Sequence, residues 1–312
     1  MALLFSSIND DADRWRNVFK RELPDLEFRV LSPEGADIGN PADIAYVLTW
    51  QPKIGAFKNL SNLEYIFSLG AGVDHLMNKK LPKKIPIVRL MDPELTRGMS
   101  EYILYWVLHH HRRMGDYEYS SRQVKWKQFP QANTTKRSIG IMGLGVLGVD
   151  AAQKLVSLGF KVSGWSRNQK KISGISTFNG KKGLPEFLGH TEMLICLLPL
   201  TPKTKGIINS ETIRMLPRNS IIINVARGGH IIDNDLLQAL DNGHISSAVL
   251  DVFHHEPLPH DHPFWKHPKI SITPHIASLT IPETAALVVV ENIRRIRKGQ
   301  LPRPIVDPKL GY

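Results

Sequence analysis

A single cysteine, no apolar run of membrane-spanning length and no block of like charge narrow this chain before any motif is read. The cysteine, Cys196, sits inside the apolar run Met193 to Leu198, so a disulfide framework and a thiolate metal site are excluded and a buried, inert thiol is expected. Nothing approaches the roughly 20 apolar residues that a membrane helix needs. The opening residues Met1 to Phe5 are too few for the hydrophobic part of a signal peptide and have no basic residues ahead of them, so they read as a first strand. These absences point to a cytoplasmic protein with no membrane partner.

Of the 312 residues, 42% are hydrophobic and 22% charged, which is the balance of a folded globular chain long enough for two α/β domains, each with its own core. The net charge is +11, yet the basic pairs are scattered: Lys79-Lys80, Lys83-Lys84, Arg112-Arg113, Lys170-Lys171, Lys181-Lys182 and Arg294-Arg295. Scattered charge suits solvated faces and the gathering of small anions. No helix-turn-helix or zinc-finger pattern accompanies it, so a nucleic-acid partner is not expected.

Short apolar runs alternate with helical patterns over residues 1–97. Ala2 to Phe5, Phe28 to Leu31, Ile44 to Trp50 and Tyr65 to Leu69 read as strands, and Asp11 to Lys20 as a helix. A second series has six strand candidates: Ser138 to Met142, Lys161 to Trp165, Met193 to Leu198, Ser220 to Val225, Ser247 to Asp251 and Ile270 to Thr273. Between the series, Met99 to Arg113 reads as a helix more apolar than a surface helix needs. Its closing residues His109, His110 and His111 cannot share one helical face; they read as a C-terminus favouring positive charge rather than as a metal site. A last helix from Ile281 to Gly299 and a proline-rich, extended tail from Gln300 to Tyr312 complete the chain. The expected fold class is α/β with two doubly wound parallel-sheet domains. A Rossmann-type cofactor domain (99–279) is inserted into a split flavodoxin-like substrate domain (1–98 and 280–312), with the active site in the cleft between them.

The stretch most informative about chemistry is Gly143-x-Gly145-x-x-Gly148, which joins an apolar run to a helical pattern. Gly143 would make the tight turn, Gly145 would let backbone approach a pyrophosphate, and Gly148 would let the helix pack closely, with Val146 and Leu147 between them. Taken alone, the pattern is met as often in a plain turn. Where an NAD site places a carboxylate on the ribose, this chain has Ser166 and Arg167, with Lys170 just beyond; an arginine can grip a 2′-phosphate that a carboxylate would repel. NADPH is therefore expected, with NADH the weaker donor. Leu198, Pro199, Val225 and Ala226, at two neighbouring strand ends, complete the expected cofactor lining.

In the first series, Gly70, Ala71, Gly72 and Val73 come directly after a strand and form either a nest of bare N–H groups for a carboxylate or an ordinary turn. Trp50 comes after another strand and either limits substrate size or belongs to the core. Three islands lie at strand ends of the second series: Val225 to Gly228 with Arg227, Asp251 to Pro257 with Glu256, and Thr273 to Ala277 with His275. His254, His255, His260, His262 and His267 crowd around Glu256, but prolines make that stretch an irregular loop without a helical ligand pair. Rim histidines are expected there, and no metal.

The glycine loop and the three islands, in this order and spacing, resemble the D-isomer-specific 2-hydroxyacid dehydrogenases over nearly the whole chain. The resemblance implies that Arg227, Glu256 and His275 are catalytic, that the turn Gly70 to Val73 takes the substrate carboxylate, and that Asp251 holds the nicotinamide carboxamide. It also implies a homodimer, with the apolar helix around Tyr102 to Leu108 as a candidate interface, a surface that would equally serve a contact between domains. Chemistry agrees with the assignment. Reducing a 2-keto acid puts negative charge on the carbonyl oxygen, so the site needs a proton donor, His275, and a fixed positive charge, Arg227, while Glu256 orients the imidazole. The expected activity is NADPH-dependent reduction of a small 2-keto acid, glyoxylate or hydroxypyruvate first. Two other readings stand beside it: an NAD-linked dehydrogenase of another D-2-hydroxy acid, against which Arg167 speaks, and a non-enzymatic nucleotide-sensing binder, against which Arg227, Glu256 and His275 speak.

Overall fold

The computed structural model describes residues 1–7, 10–31, 38–77, 81–82 and 85–311. The basic pairs Lys79-Lys80 and Lys83-Lys84, and the last residue Tyr312, lie outside the described residues. The chain divides into two compact units, Met1–Leu95 with Thr280–Tyr312, and Thr96–Leu279.

In the first unit, β1 (Ala2–Ser6), β2 (Glu27–Val30), β3 (Ile44–Thr49), β4 (Tyr65–Ser68) and β5 (Ile87–Val88) form a parallel sheet in the order β2-β1-β3-β4-β5. Every residue of β1 and β3 is buried. Central strands of a parallel sheet are covered on both faces, and for that reason they read as unbroken apolar runs. Helix α1 (Ala12–Glu22) starts at the Asp11 cap, whose side chain accepts from Asp13 N–H, and buries Trp15, Val18 and Phe19 at the i, i+3, i+4 spacing of one face. Against it lies the returning helix α9 (Pro282–Arg297), with Arg14 donating to Glu283 through Nε at 2.8 Å and Nη2 at 2.6 Å. A short helix α2 (Asp74–Met77) comes after the turn that closes β4.

Two features of this unit differ from the sequence expectation. β5 has two residues, in the short stretch Ile85 to Val88 that Pro86 interrupts. The tail is also more than extended chain: Val306 N–H donates to Ile87 O at 2.8 Å, Arg89 N–H donates to Pro304 O at 3.1 Å, and the chain then turns at Asp307. It is clipped to the outer edge of β5.

The second unit begins with most of α3 (Pro93–His111) and continues through α4 (Met114–Arg122). Then come β6 (Ser138–Met142), α5 (Val146–Ser157), β7 (Lys161–Ser166), β8 (Ser176–Asn179), α6 (Gly180–Gly189) and β9 (Met193–Cys196). α7 (Ser210–Met215), β10 (Ser220–Asn224), α8 (Asp233–Asp241), β11 (Ile245–Leu250) and β12 (Ile270–Ile272) complete it. The seven parallel strands run β12-β11-β10-β9-β6-β7-β8. β8 is the strand that the six-strand expectation lacks; its Ser-Thr-Phe-Asn sequence lies at an edge and needs no apolar run. Strand order reverses between β6 and β9, so a crevice opens at their C-terminal ends, the place where doubly wound sheets bind ligands. Cys196, at the end of β9, is buried as expected.

The histidines closing α3 behave otherwise than expected. His111 is buried edge-on against Phe160 at 5.0 Å, and burial pushes His110 down to about 4 and His111 below its ordinary value. A neutral imidazole brings no charge to a helix dipole, so His110 and His111 act as packing groups. The apolarity of α3 is also accounted for: Met99, Ile103 and Val107 enter one core cluster with Ile139, Ile141 and Ile195, leaving Tyr105 and Leu108 outside. Among the described residues no helix is long and apolar enough to cross a membrane.

Candidate active site

The glycine loop opens directly from β6. Gly143 stands at φ +108, and a Cβ there would lie 2.6 Å from Leu197 O; a Cβ on Gly148 would lie 1.9 Å from Gly143 O. Packing within the protein therefore requires both glycines. Gly145 is different, because a Cβ on it would meet nothing within 4 Å. Its bareness serves no contact inside the chain and leaves space in front of α5, which starts at Gly145 with no side-chain cap and no acidic residue in its first turn. Uncapped N–H groups facing open space fit a bound anion. Lys170 Nζ reaches back to the Leu144 carbonyl and ties the β7 turn to the loop.

Around this loop the cofactor residues expected from sequence fall at strand ends. Val146 and Leu147 open α5, while Leu198 and Pro199 lie just beyond β9 and Val225 and Ala226 just beyond β10. Pro199 O accepts from the Thr204 hydroxyl at 2.6 Å. Ser166 ends β7, but its hydroxyl donates to Asn168 O at 2.8 Å. Its proton is thus engaged within the turn. Arg167 stands exposed beside it.

The three islands assemble at the neighbouring strand ends. After β10, Asn224 Nδ2 donates to Arg227 O at 2.9 Å, and His230 Nδ1 lies 3.0 Å from the same oxygen, which holds the arginine backbone extended at φ −147. Arg227 Nη1 donates to Ala226 O at 2.6 Å. A Cβ on Gly228 would lie 2.0 Å from the Phe253 carbonyl carbon, so the backbone of the second island rests directly on the first. The third island meets the second through His275 Nδ1 and Glu256 Oε2, 2.7 Å apart. Glu256 Oε1 accepts from Phe253 N–H at 2.9 Å. Burial opposes ionisation of Glu256, but the bonds from His275 and Phe253, with the charges of His275 and Arg227, outweigh it and hold the carboxyl below its ordinary range.

Asp251, expected to hold the nicotinamide carboxamide, also serves its own chain. It is 1% exposed, and its carboxylate accepts from Thr273 Oγ1 at 2.6 Å and from the N–H groups of Ile276 and Ala277, both at 2.8 Å. These three donors all come from the His275 island. Tyr102 Oη lies 2.5 Å from Thr273 Oγ1. Sequence reasoning passed over both Thr273 and Tyr102; the signal for Thr273 was its place two residues before His275, and for Tyr102 there was none beyond an apolar helix face.

The histidine-rich loop is tied down by contacts between its imidazoles and two aspartates. His254 and His262 each bring Nε2 to 3.4 Å from an oxygen of Asp233, and His267 lies 3.3 Å from Asp241. His254 and His262 border a cavity of about 70 Å³ lined by Phe253, Leu258 and Phe264. Among the described residues no three His, Cys, Asp or Glu side chains are arranged to hold a metal ion.

In the other unit, Trp50 lies over Gly70, where a Cβ would come 2.6 Å from the indole, and packs tilted against His75 with ring centroids 4.1 Å apart. Gly70 N–H donates to Ser68 Oγ at 3.3 Å, and no described residue accepts from the N–H groups of Ala71 and Gly72. Val73 is buried. The turn therefore offers two bare N–H groups at a strand end, as a carboxylate nest requires.

A glycine loop at the reversal point of a doubly wound sheet, opening onto an uncapped helix, defines a dinucleotide-binding α/β protein. The chain belongs to the D-isomer-specific 2-hydroxyacid dehydrogenases: the model of that family's NAD-binding domain matches residues 104–277. A glyoxylate/hydroxypyruvate reductase A of Photorhabdus laumondii is 41% identical over 318 residues, covering 100% of both chains. Among solved structures, a D-isomer-specific 2-hydroxyacid dehydrogenase of Xanthobacter autotrophicus in complex with NADPH superposes with a TM-score of 0.96 at 40% identity, covering 100% of this chain and 99% of that one. An NADPH-dependent glyoxylate/hydroxypyruvate reductase of Sinorhizobium meliloti with NADP and sulfate gives 0.93 at 35% identity, covering 100% of both chains.

Proposed function

We propose that this chain reduces small 2-keto acids, glyoxylate and hydroxypyruvate first, to the corresponding 2-hydroxy acids, with NADPH as the reductant and NADH as a weaker one. The observation that carries the reading is the 2.7 Å bond between His275 Nδ1 and Glu256 Oε2. With Nδ1–H donated to the carboxylate, Nε2 is the nitrogen left to face a substrate, and in the imidazolium form it carries the proton that the reduced carbonyl oxygen must receive. Glu256, held below its ordinary range and so ionised near neutral pH, keeps that tautomer. Arg227 supplies the fixed positive charge for the substrate carboxylate and for the oxygen on which negative charge grows.

We assign the unit Thr96–Leu279 to the cofactor and the unit Met1–Leu95 with Thr280–Tyr312 to the substrate. The residues present suit NADPH: the pyrophosphate would lie in the space before Gly145, and Arg167, with Lys170 nearby, would take the 2′-phosphate. When bound, the dihydronicotinamide supplies the hydride that goes to the carbonyl carbon. In the substrate unit, the N–H groups of Ala71 and Gly72 are suited to the carboxylate, and the bulk of Trp50 to restricting the length of the keto acid. The relatives' names and cofactors support the same reading. A cytoplasmic homodimer completes the proposal. For self-association we look past α3 to the residues after α4, where Val124 is 94% and Trp126 99% exposed.

The test is a panel of short 2-keto acids assayed with NADPH and with NADH. Glyoxylate and hydroxypyruvate are expected to give the highest kcat/KM, and with NADPH. Turnover only with NADH would favour an NAD-linked dehydrogenase; no turnover on any of them would leave a nucleotide-binding protein without catalysis.

A further inference from the structure

We infer that Tyr102 is a positioning residue for the proton transfer, acting on His275 through Thr273 and Asp251; this rests on reading His275 as the proton donor. His275 stands at φ 57, a left-handed backbone that strains an L-residue and persists only where its surroundings hold it. Asp251 is what holds it. The Asp251 main-chain oxygen accepts from His275 N–H at 2.8 Å, and its carboxylate takes the next two N–H groups, those of Ile276 and Ala277. Three successive amides of the turn thus hang on one residue, and any rotation of that carboxylate moves the imidazole.

Proton counting sets the direction of the remaining bonds. The Thr273 hydroxyl has one proton and gives it to Asp251 Oδ1 at 2.6 Å, so at the 2.5 Å contact the phenol of Tyr102 is the donor and Thr273 the acceptor. Burial drives the Tyr102 phenol up to about 12, which keeps its proton in place across the neutral range. Burial also drives Asp251 up, opposed by Thr273, by the Ala277 and Ile276 amides and by the charge of His275. Weakening the Thr273 bond therefore loosens the turn and favours a protonated Asp251 that no longer accepts at both oxygens. Tyr102 itself sits on α3 beside the fully buried Ile103, so its hydroxyl is presented from a fixed support.

The experiment compares Tyr102→Phe, Thr273→Val, Thr273→Ser and the double variant Tyr102→Phe/Thr273→Val, each as the full chain with NADPH. Loss of one short hydrogen bond in the chain is expected to lower kcat about tenfold, leaving the KM of the keto acid and the Kd of NADPH within about twofold. Thr273→Ser keeps the hydroxyl and restores kcat. The double variant is expected to be no slower than Thr273→Val, because the phenol acts only through that threonine. A readout independent of turnover is the proton resonance of His275 Nδ1–H, sharp in the parent protein and broadened by solvent exchange in Tyr102→Phe. The inference is overturned if Tyr102→Phe lowers Tm while kcat and the resonance stay unchanged, or if the two substitutions are additive. A parent protein that reduces no keto acid would sink the proposed function, and the resonance alone would then decide whether Tyr102 orders His275.

Discussion

Gly145 and Gly148 belong to one loop, yet alanine at each should fail in a different way. At Gly148 the added Cβ would stand 1.9 Å from Gly143 O, where an ordinary C···O contact is about 3.3 Å, so backbone must shift by roughly 1.4 Å between β6 and α5. The neighbours are main chain in a packed core and cannot simply rotate away, so Gly148→Ala should destabilise the apo protein by about 2–4 kcal/mol. Gly145 stands at φ −77 in an extended conformation open to any residue, with nothing within 4 Å of its Cβ position. Gly145→Ala should therefore leave the apo protein as stable as the parent, or about 0.4–1 kcal/mol more stable through its less flexible unfolded chain. Its defect should appear only with nucleotide. A methyl group in the space before α5 holds a pyrophosphate away from the helix N–H groups, and losing one or two charge-assisted hydrogen bonds of about 1.5–3 kcal/mol weakens NADPH binding by about 10²-fold. Thermal melts of the two apo variants and calorimetric titration with NADPH separate these effects. A Gly145→Ala protein that binds NADPH like the parent, or that melts as early as Gly148→Ala, would refute the reasoning.

Three other consequences can be measured independently. His275→Gln should lower kcat by at least about 10²-fold with NADPH affinity nearly intact, and a fully active variant would remove His275 as the proton donor. Arg167→Asp should move the ratio of kcat/KM values from NADPH toward NADH; an unchanged ratio would mean that Arg167 does not meet the 2′-phosphate. His110 is held neutral, its pKa pushed down to about 4 by burial, whereas in the unfolded chain it takes up a proton near 6.5. Stability is therefore full above pH ~6.5 and declines as the pH falls toward 4, and His110→Leu should remove about 1–2 kcal/mol of that decline. Melting curves of the two proteins that run parallel between those pH values would count against a neutral buried His110.

How legible a residue is in the sequence depends on where its job is done. Central parallel strands such as β1, β3 and β10 are buried on both faces and appear as apolar runs, while the edge strands β5 and β8 need no such run and passed unnoticed. Gly143, Gly145 and Gly148 were legible because each has a backbone reason for being bare, although only the structure distinguishes the two that packing requires from the one that it does not. Arg227, Glu256 and His275 were legible as residue types at strand ends. Hydrogen-bond direction was not. The commitment of the Ser166 proton to Asn168, the engagement of Asp251 with its own chain and the reach of Tyr102 to Thr273 depend on which atoms meet, and no spacing encodes that. His110 and His111 were misjudged for a related reason: their position at a helix end suggested charge, whereas burial removes it.

Direct transfer of hydride to the keto acid is the claim on which the rest depends, and it is tested by isotope. NADPH carrying deuterium at the transferable position of nicotinamide C4, incubated with glyoxylate and the full-length protein, should yield glycolate labelled at C2 in step with the NADPH consumed. NADPH oxidation that leaves the glycolate unlabelled, or no glycolate at all, would contradict the account.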